Sequence, residues 1–106
     1  MGKDNYFVEI YPSAAEDLKN IYSYYFEQSQ DIDLAERIKN ELKAGILGLC
    51  NMPYSHPQVK DKRLKNEKLR KLICGEYVIP FLIDEKAKIV SVVGVFHGKM
   101  NYQKYL

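Results

Sequence analysis

Apolar and polar residues follow different rhythms in different parts of this chain, and each rhythm implies an element. Residues 6–11, Tyr-Phe-Val-Glu-Ile-Tyr, are rich in aromatic and β-branched side chains and are closed by Pro12, which predicts a short strand. Ser13 followed by Glu16 gives the pattern of a capping box, so a helix is expected to start there. Leu18, Ile21, Tyr22 and Tyr25 then recur at helical spacing, while Asp17, Lys19 and Asn20 point elsewhere. The polar residues 27–31 break this helix. Asp33 with Glu36 repeats the cap pattern, and Leu34, Ala35, Ile38, Leu42, Ile46 and Leu49 continue as a second stripe that stops at Gly48, Asn51 and Pro53. Two amphipathic helices joined by so few residues predict an antiparallel hairpin that must cover an apolar surface.

Beyond a long loop over residues 52–66, the rhythm changes to that of strands, with candidates at 68–74, 76–83 and 88–96. Gly75 and residues 84–87 supply the turns, and connections this short imply antiparallel pairing. The resulting order is β-α-α-β-β-β, an α+β fold in which a helical hairpin packs on one face of a small antiparallel sheet. The run from Ile89 to Phe96 is apolar at both parities, as in the middle of a covered sheet, and it ends in His97-Gly98-Lys99 at a rigid strand exit. Pro80 inside a strand cannot donate to a ladder, so a local irregularity is expected beside it.

Composition narrows the picture. With 106 residues, 46% hydrophobic and 28% charged, the chain is expected to form a single domain, 1–106, of ordinary globular type. The longest apolar run is far short of the roughly 20 residues that span a bilayer, and the polar start of the chain points to the cytoplasm. Cys50 and Cys74 read as small buried hydrophobes. No Cys/His ligand spacing and no Gly-rich phosphate loop occur, so neither a metal nor a cofactor is expected. Net charge is only +2, yet Lys60, Lys62, Arg63, Lys65, Lys68, Arg70 and Lys71 stand against Asp61 and Glu67 alone. Such a patch attracts a polyanion or an acidic protein surface, or simply keeps a sheet edge soluble. Tyr22, Tyr24, Tyr25 and Phe26 cluster on the first helix, and its stripe leaves Tyr24 or Phe26 for a protein interface.

Taken in order, the opening strand with Pro12-Ser13-Ala14, the helix pair, Leu69-Arg70-Lys71, Gly75-Glu76-Tyr77 and the closing Val95-Phe96-His97-Gly98-Lys99 resemble the RelE/ParE superfamily of toxins from bacterial type II toxin-antitoxin systems. The resemblance implies one of two activities on one fold: ribosome-dependent cleavage of messenger RNA, as in RelE-like members, or inhibition of DNA gyrase, as in ParE-like members. A nuclease would use His97 as acid or base, Arg70, Lys71 and Lys99 to hold phosphate charge, and Glu67 or Glu76 as a second proton acceptor. On residues alone, His97 reads as a strand-end histidine bonded to a loop. RelE-like nucleases carry an arginine after the tyrosine of the Gly-x-Tyr element, whereas Val78 follows Tyr77 here. The aliphatic residue and the His-Gly-basic ending look ParE-like. The expectation is therefore a gyrase-binding toxin neutralised by a cognate antitoxin, with Lys60, Lys62, Arg63, Lys65, Lys68, Arg70, Lys71 and Tyr77 as candidates for binding the target or the antitoxin. The alternatives are a ribosome-dependent endoribonuclease, with ribosome and mRNA as partners, or a degenerate member that binds antitoxin only.

Overall fold

The computed structural model describes residues 5–60 and 68–99. Strand β1 (Phe7–Ile10) leads into α1 (Pro12–Ser29) and α2 (Ile32–Leu47), followed by two short 3-10 turns and by β2 (Arg70–Cys74), β3 (Tyr77–Asp84), β4 (Ile89–Val92) and β5 (Phe96–His97). The helical starts differ from the capping boxes that the sequence suggests. Pro12 stands at the first turn of α1 with its φ already helical, so Ser13 is left free for another task. At α2 the cap is Asp31, whose carboxylate accepts from the N–H groups of Asp33 and Leu34. Gln30, in the left-handed region at φ 58°, makes the reversal between the helices.

The sheet order is β1-β4-β3-β2, with β5 pairing β3 beyond the end of β4. The helical hairpin lies on one face as expected, but the sheet is mixed. Strands β2, β3 and β4 alternate antiparallel, whereas β1 runs parallel to β4, with Phe7 opposite Ile89 and Ile10 opposite Val92. The reason is the parity of the connections. The hairpin returns the chain to the end where β1 begins, where the Tyr6 N–H donates to the Cys50 carbonyl at 2.8 Å. Three strands joined by tight turns then bring β4 alongside β1 in the same sense. One tight turn needs Gly75 at φ 59°; in the other, Asp84 Oδ1 accepts from the Ala87 N–H.

Packing on the helical face joins Leu18, Leu42, Ile46 and Leu49 to Ile79, Phe81, Val90 and Val92, most of them fully buried. Burying a side chain such as Phe81 contributes about 1.5–3 kcal/mol. A smaller cluster, Val59, Leu69 and Val78 with Phe96 against it, covers the opposite face. Both faces of β3 are therefore covered, as its apolar sequence requires. Cys50 and Cys74 are free thiols and only half-buried; burial raises the Cys74 thiol above its ordinary pKa, with Glu41 adding to the effect. Among the described residues no helix is long and apolar enough to cross a membrane.

The expected irregularity at Pro80 is found on the neighbouring strand. Phe81 opposes Val92, but Val78 opposes Phe96, so residues 79–80 face the three residues 93–95. One residue is extra, which is a β-bulge, and the predicted strand 88–96 is split there into β4 and β5. Pro80 presents its backbone to this strand, and its carbonyl accepts from the Val93 N–H at 3.0 Å. The reciprocal bond to the Val93 carbonyl cannot form, because proline has no N–H. The Ser13 hydroxyl donates to that carbonyl instead, at 2.8 Å. One turn further along α1, Asp17 Oδ2 accepts from the Val95 N–H at 2.9 Å. Gly94 lies between them, and a Cβ there would meet the Phe96 ring at 2.6 Å and Asp17 Oδ2 at 3.3 Å. Two α1 side chains at i and i+4 thus satisfy the bulge and set the direction in which β5 leaves.

Gly94→Ala should therefore destabilise the protein by about 1–3 kcal/mol through overpacking. Gly48→Ala, at φ −63° with no atom within 4 Å of its new Cβ, should stabilise it by about 0.4–1 kcal/mol. Urea denaturation of the two variants beside the parent measures both, and equal midpoints would refute the packing account.

Burial raises the Asp17 carboxyl above its ordinary pKa, the Val95 N–H partly offsets this, and Glu16 raises it further. A carboxyl raised in the folded state contributes stability that is present below its unfolded pKa and lost as pH rises through the folded value. Asp17→Asn removes the titration while keeping an oxygen for Val95. Its stability relative to the parent should therefore increase between about pH 3 and about pH 6. Denaturant titrations across that range test the sign, and a gain running the other way would refute it.

Candidate functional site

The bulge determines where β5 goes, and β5 carries His97. His97 pairs across the sheet with Tyr77, and their rings meet edge to face at 5.6 Å. The His97 Nδ1 accepts from the Lys99 N–H at 3.2 Å. In the neutral ring the proton therefore sits on Nε2, which faces Glu76 Oε1 at 3.3 Å. The Gly98 N–H donates to the Glu76 carbonyl at 2.7 Å and ties this corner to the β2–β3 turn. His97 is thus a strand-end histidine held by a loop, with its outer nitrogen committed weakly to an exposed carboxylate.

Tyr77 is buried, and its hydroxyl donates to the Tyr25 hydroxyl of α1 over a long 3.4 Å. Burial pushes that hydroxyl well above the ordinary phenol range, with the Tyr25 hydrogen bond next in effect, so it stays protonated. Two depressions meet at the wall made by Glu76, Tyr77 and His97. One, of about 650 Å³, opens toward α1 and is lined also by Asp17, Tyr24 and Phe96. The other, of about 500 Å³, opens toward the outer face and is lined also by Lys71 and Lys99.

Among the described residues, the cations singled out from sequence are divided between this corner and the far end of the sheet. Lys71 and Lys99 reach it, but Arg70 points to the opposite end of the sheet. Arg70 pairs with Phe81, four residues along β3 from Tyr77, and it flanks β3 on the side opposite β5. The two positions are separated by about 13 Å along the strand and by two strand spacings, roughly 10 Å, across it. The Arg70 guanidinium donates to the carbonyls of His56 at 2.6 Å and Tyr54 at 3.2 Å, and lies 5.1 Å from the centre of the Tyr54 ring. Arg70 therefore holds the 53–58 loop against β2. Lys60 is exposed on the segment beside β2, and Lys68 lines a depression of about 640 Å³ with Arg70 and Lys86. Lys62, Arg63, Lys65 and Glu67 lie outside the described residues.

A carboxylate cluster anchors that far end. Glu85 Oε1 accepts from the hydroxyls of Tyr6 at 2.8 Å and Tyr54 at 3.0 Å, and Oε2 pairs with Lys88. The Lys88 hydrogen bond first, then those of Tyr6 and Tyr54, lower the Glu85 pKa to about 2. Such a carboxylate stays ionised and structural. Among the described residues no three His, Cys, Asp or Glu side chains come together as a metal site would need.

Sequence reasoning did not single out Asp17, which periodicity sets on the polar side of α1 but which lines the groove. The i, i+4 spacing of Ser13 and Asp17, next to a strand containing Pro80, is the signal that could have found it. Tyr24, by contrast, is 57% exposed and Phe26 37% exposed, as the stripe implies.

The sequence matches the model of the ParE toxin of the type II toxin-antitoxin system parDE over residues 8–102. Among solved structures, the chain is similar to one from the chromosomal ParDE toxin-antitoxin system of P. aeruginosa (TM-score 0.72, 14% identity, 90% of this chain and 98% of that one). It is also similar to a chain of the toxin-antitoxin complex RelBE2 of Mycobacterium tuberculosis (TM-score 0.67, 17% identity, 88% and 98% covered). A mutant E. coli toxin RelE in the free state follows at TM-score 0.61 and 12% identity, with 95% and 92% covered. No curated protein matches. At these identities the structural likenesses speak for the fold, the α+β arrangement of a helical hairpin on a mixed sheet. The family match covers nearly the whole chain, and it identifies this protein as a member of the ParE toxin family of type II toxin-antitoxin systems.

Proposed function

We propose that this chain arrests growth in the cytoplasm by binding DNA gyrase without catalysing a reaction, and that a cognate antitoxin neutralises it by covering its surface. The observation that carries the non-catalytic reading is the commitment of Arg70 to the Tyr54 and His56 carbonyls, remote from His97. Metal-free RNA cleavage needs a strong cation at the scissile phosphate beside the proton-transfer group. Position 78, directly after Tyr77, is a buried valine packed with Val59 and Leu69. Among the described cations only the lysines Lys71 and Lys99 share a depression with His97, and a lysine lacks the fixed fork with which arginine grips a phosphate.

The antitoxin partner is supported by the company the fold keeps, since the P. aeruginosa and M. tuberculosis structures are described as a toxin-antitoxin system and a toxin-antitoxin complex. Lys60, Lys68 and Lys71, with Lys62, Arg63 and Lys65 of the same run, are the candidates for meeting acidic segments of either partner. The rival reading is a ribosome-dependent nuclease that uses His97, Glu76, Lys71 and Lys99, which do line one depression.

Two assays separate these readings. Purified toxin should inhibit gyrase supercoiling in a dose-dependent way. Supercoiling that continues at a large toxin excess would overturn the proposal. Toeprinting on translating ribosomes should show no new cleavage in the A site; cleavage abolished by His97→Ala would assign the nuclease instead.

A further inference from the structure

We propose that the groove between α1 and β5 is a guanidinium pocket, built to receive an arginine side chain presented by a partner protein. Its walls carry five aromatic rings, those of Tyr24, Tyr25, Tyr77, Phe96 and His97, and two carboxylates, Asp17 and Glu76. Among the described residues no lysine or arginine lines it, although the chain as a whole carries a net charge of +2. The rings are not stacked flat. Tyr24 meets Tyr25 edge to face at 5.4 Å and 85°, and Tyr77 meets His97 in the same way at 5.6 Å and 78°. Crossed pairs of this kind present ring faces in two directions, and the negative face of each ring attracts a cation.

Charge selects the occupant. Two carboxylates beside aromatic faces repel an acidic side chain and leave a neutral apolar one without a counterpart for the charges it would bury. Glu76 has 76% of its side chain exposed, and among the described residues its carboxylate meets the weak 3.3 Å contact from His97, which leaves acceptor capacity open. Arginine suits this setting better than lysine. Its guanidinium is planar, weakly hydrated and able to stack on a ring while its N–H groups bond a carboxylate, whereas an ammonium must shed more water. The volume of about 650 Å³ accommodates the side chain together with part of the backbone that presents it. The proposal rests on the reading of this chain as one that acts by binding partner proteins, and gives one point of that binding a chemical identity.

The test needs neither gyrase nor antitoxin, so failure of gyrase inhibition and failure of the pocket are separate results. Isotope-labelled full-length protein at about pH 7.5 and low salt is titrated by NMR with N-acetyl-arginine amide. Saturable shifts should centre on Tyr24, Tyr25, Glu76, Tyr77 and His97, with an apparent Kd of about 1–10 mM. Glu76→Gln and Tyr24→Ala, both at exposed positions that the fold tolerates, should each weaken binding about fivefold or more while leaving the remaining spectrum in place. N-acetyl-citrulline amide, of similar shape without the charge, and N-acetyl-leucine amide should shift these signals little. Absence of saturable shifts up to about 20 mM, equal binding of citrulline or leucine, or undiminished binding to Glu76→Gln would each overturn the proposal.

Discussion

A missing N–H organises this structure. Pro80 stands in a central strand, where every backbone donor is normally used, and the neighbouring chain answers with an extra residue at 93–95. The orphaned Val93 carbonyl and the displaced Val95 N–H would each cost free energy if left in a half-dry interior. Ser13 and Asp17 of α1 take them up, one turn apart on the same helix. This couples the first helix to the end of the sheet by hydrogen bonds as well as by apolar contact. It also fixes the exit of β5, and with it the place of Phe96, His97 and the groove beside them.

The two ends of the sheet consequently have different characters. At the His97 end, the side-chain bonds of His97 and Tyr77 are long, the Glu76 carboxylate is exposed, and aromatic rings line a depression. At the other end, Arg70, Tyr54, Glu85, Tyr6 and Lys88 satisfy one another in a closed set of short contacts. An arginine bonded to two backbone carbonyls and set against a ring is a brace for a loop, with two of its five N–H donors used there. That asymmetry argues for recognition at the His97 end and for structural support at the Arg70 end. The described end of a cationic run that looks continuous in the sequence is thus divided, Lys68 and Arg70 lining one depression and Lys71 another, once β2 places successive residues on opposite faces.

The sequence alone carried the helical stripes, the three antiparallel strands, the exposure of Tyr24 and Phe26 and the expectation of a disturbance near Pro80. Periodicity and turn chemistry are local, so they can be read from neighbours a few residues apart. The residues of the toxin signature could likewise be set in order before any coordinate was known. Tertiary structure alone decided that β1 runs with β4, because strand sense there depends on where the helical hairpin returns the chain. It decided that Asp31, rather than Asp33, caps α2, and that Ser13 serves a carbonyl 80 positions away in place of its own helix. It also decided that Arg70 and His97 lie apart while Asp17 and Glu76 come together around one groove. Those outcomes depend on contacts between residues distant in sequence, where the cost of an unsatisfied polar group, a global quantity, overrides local preference.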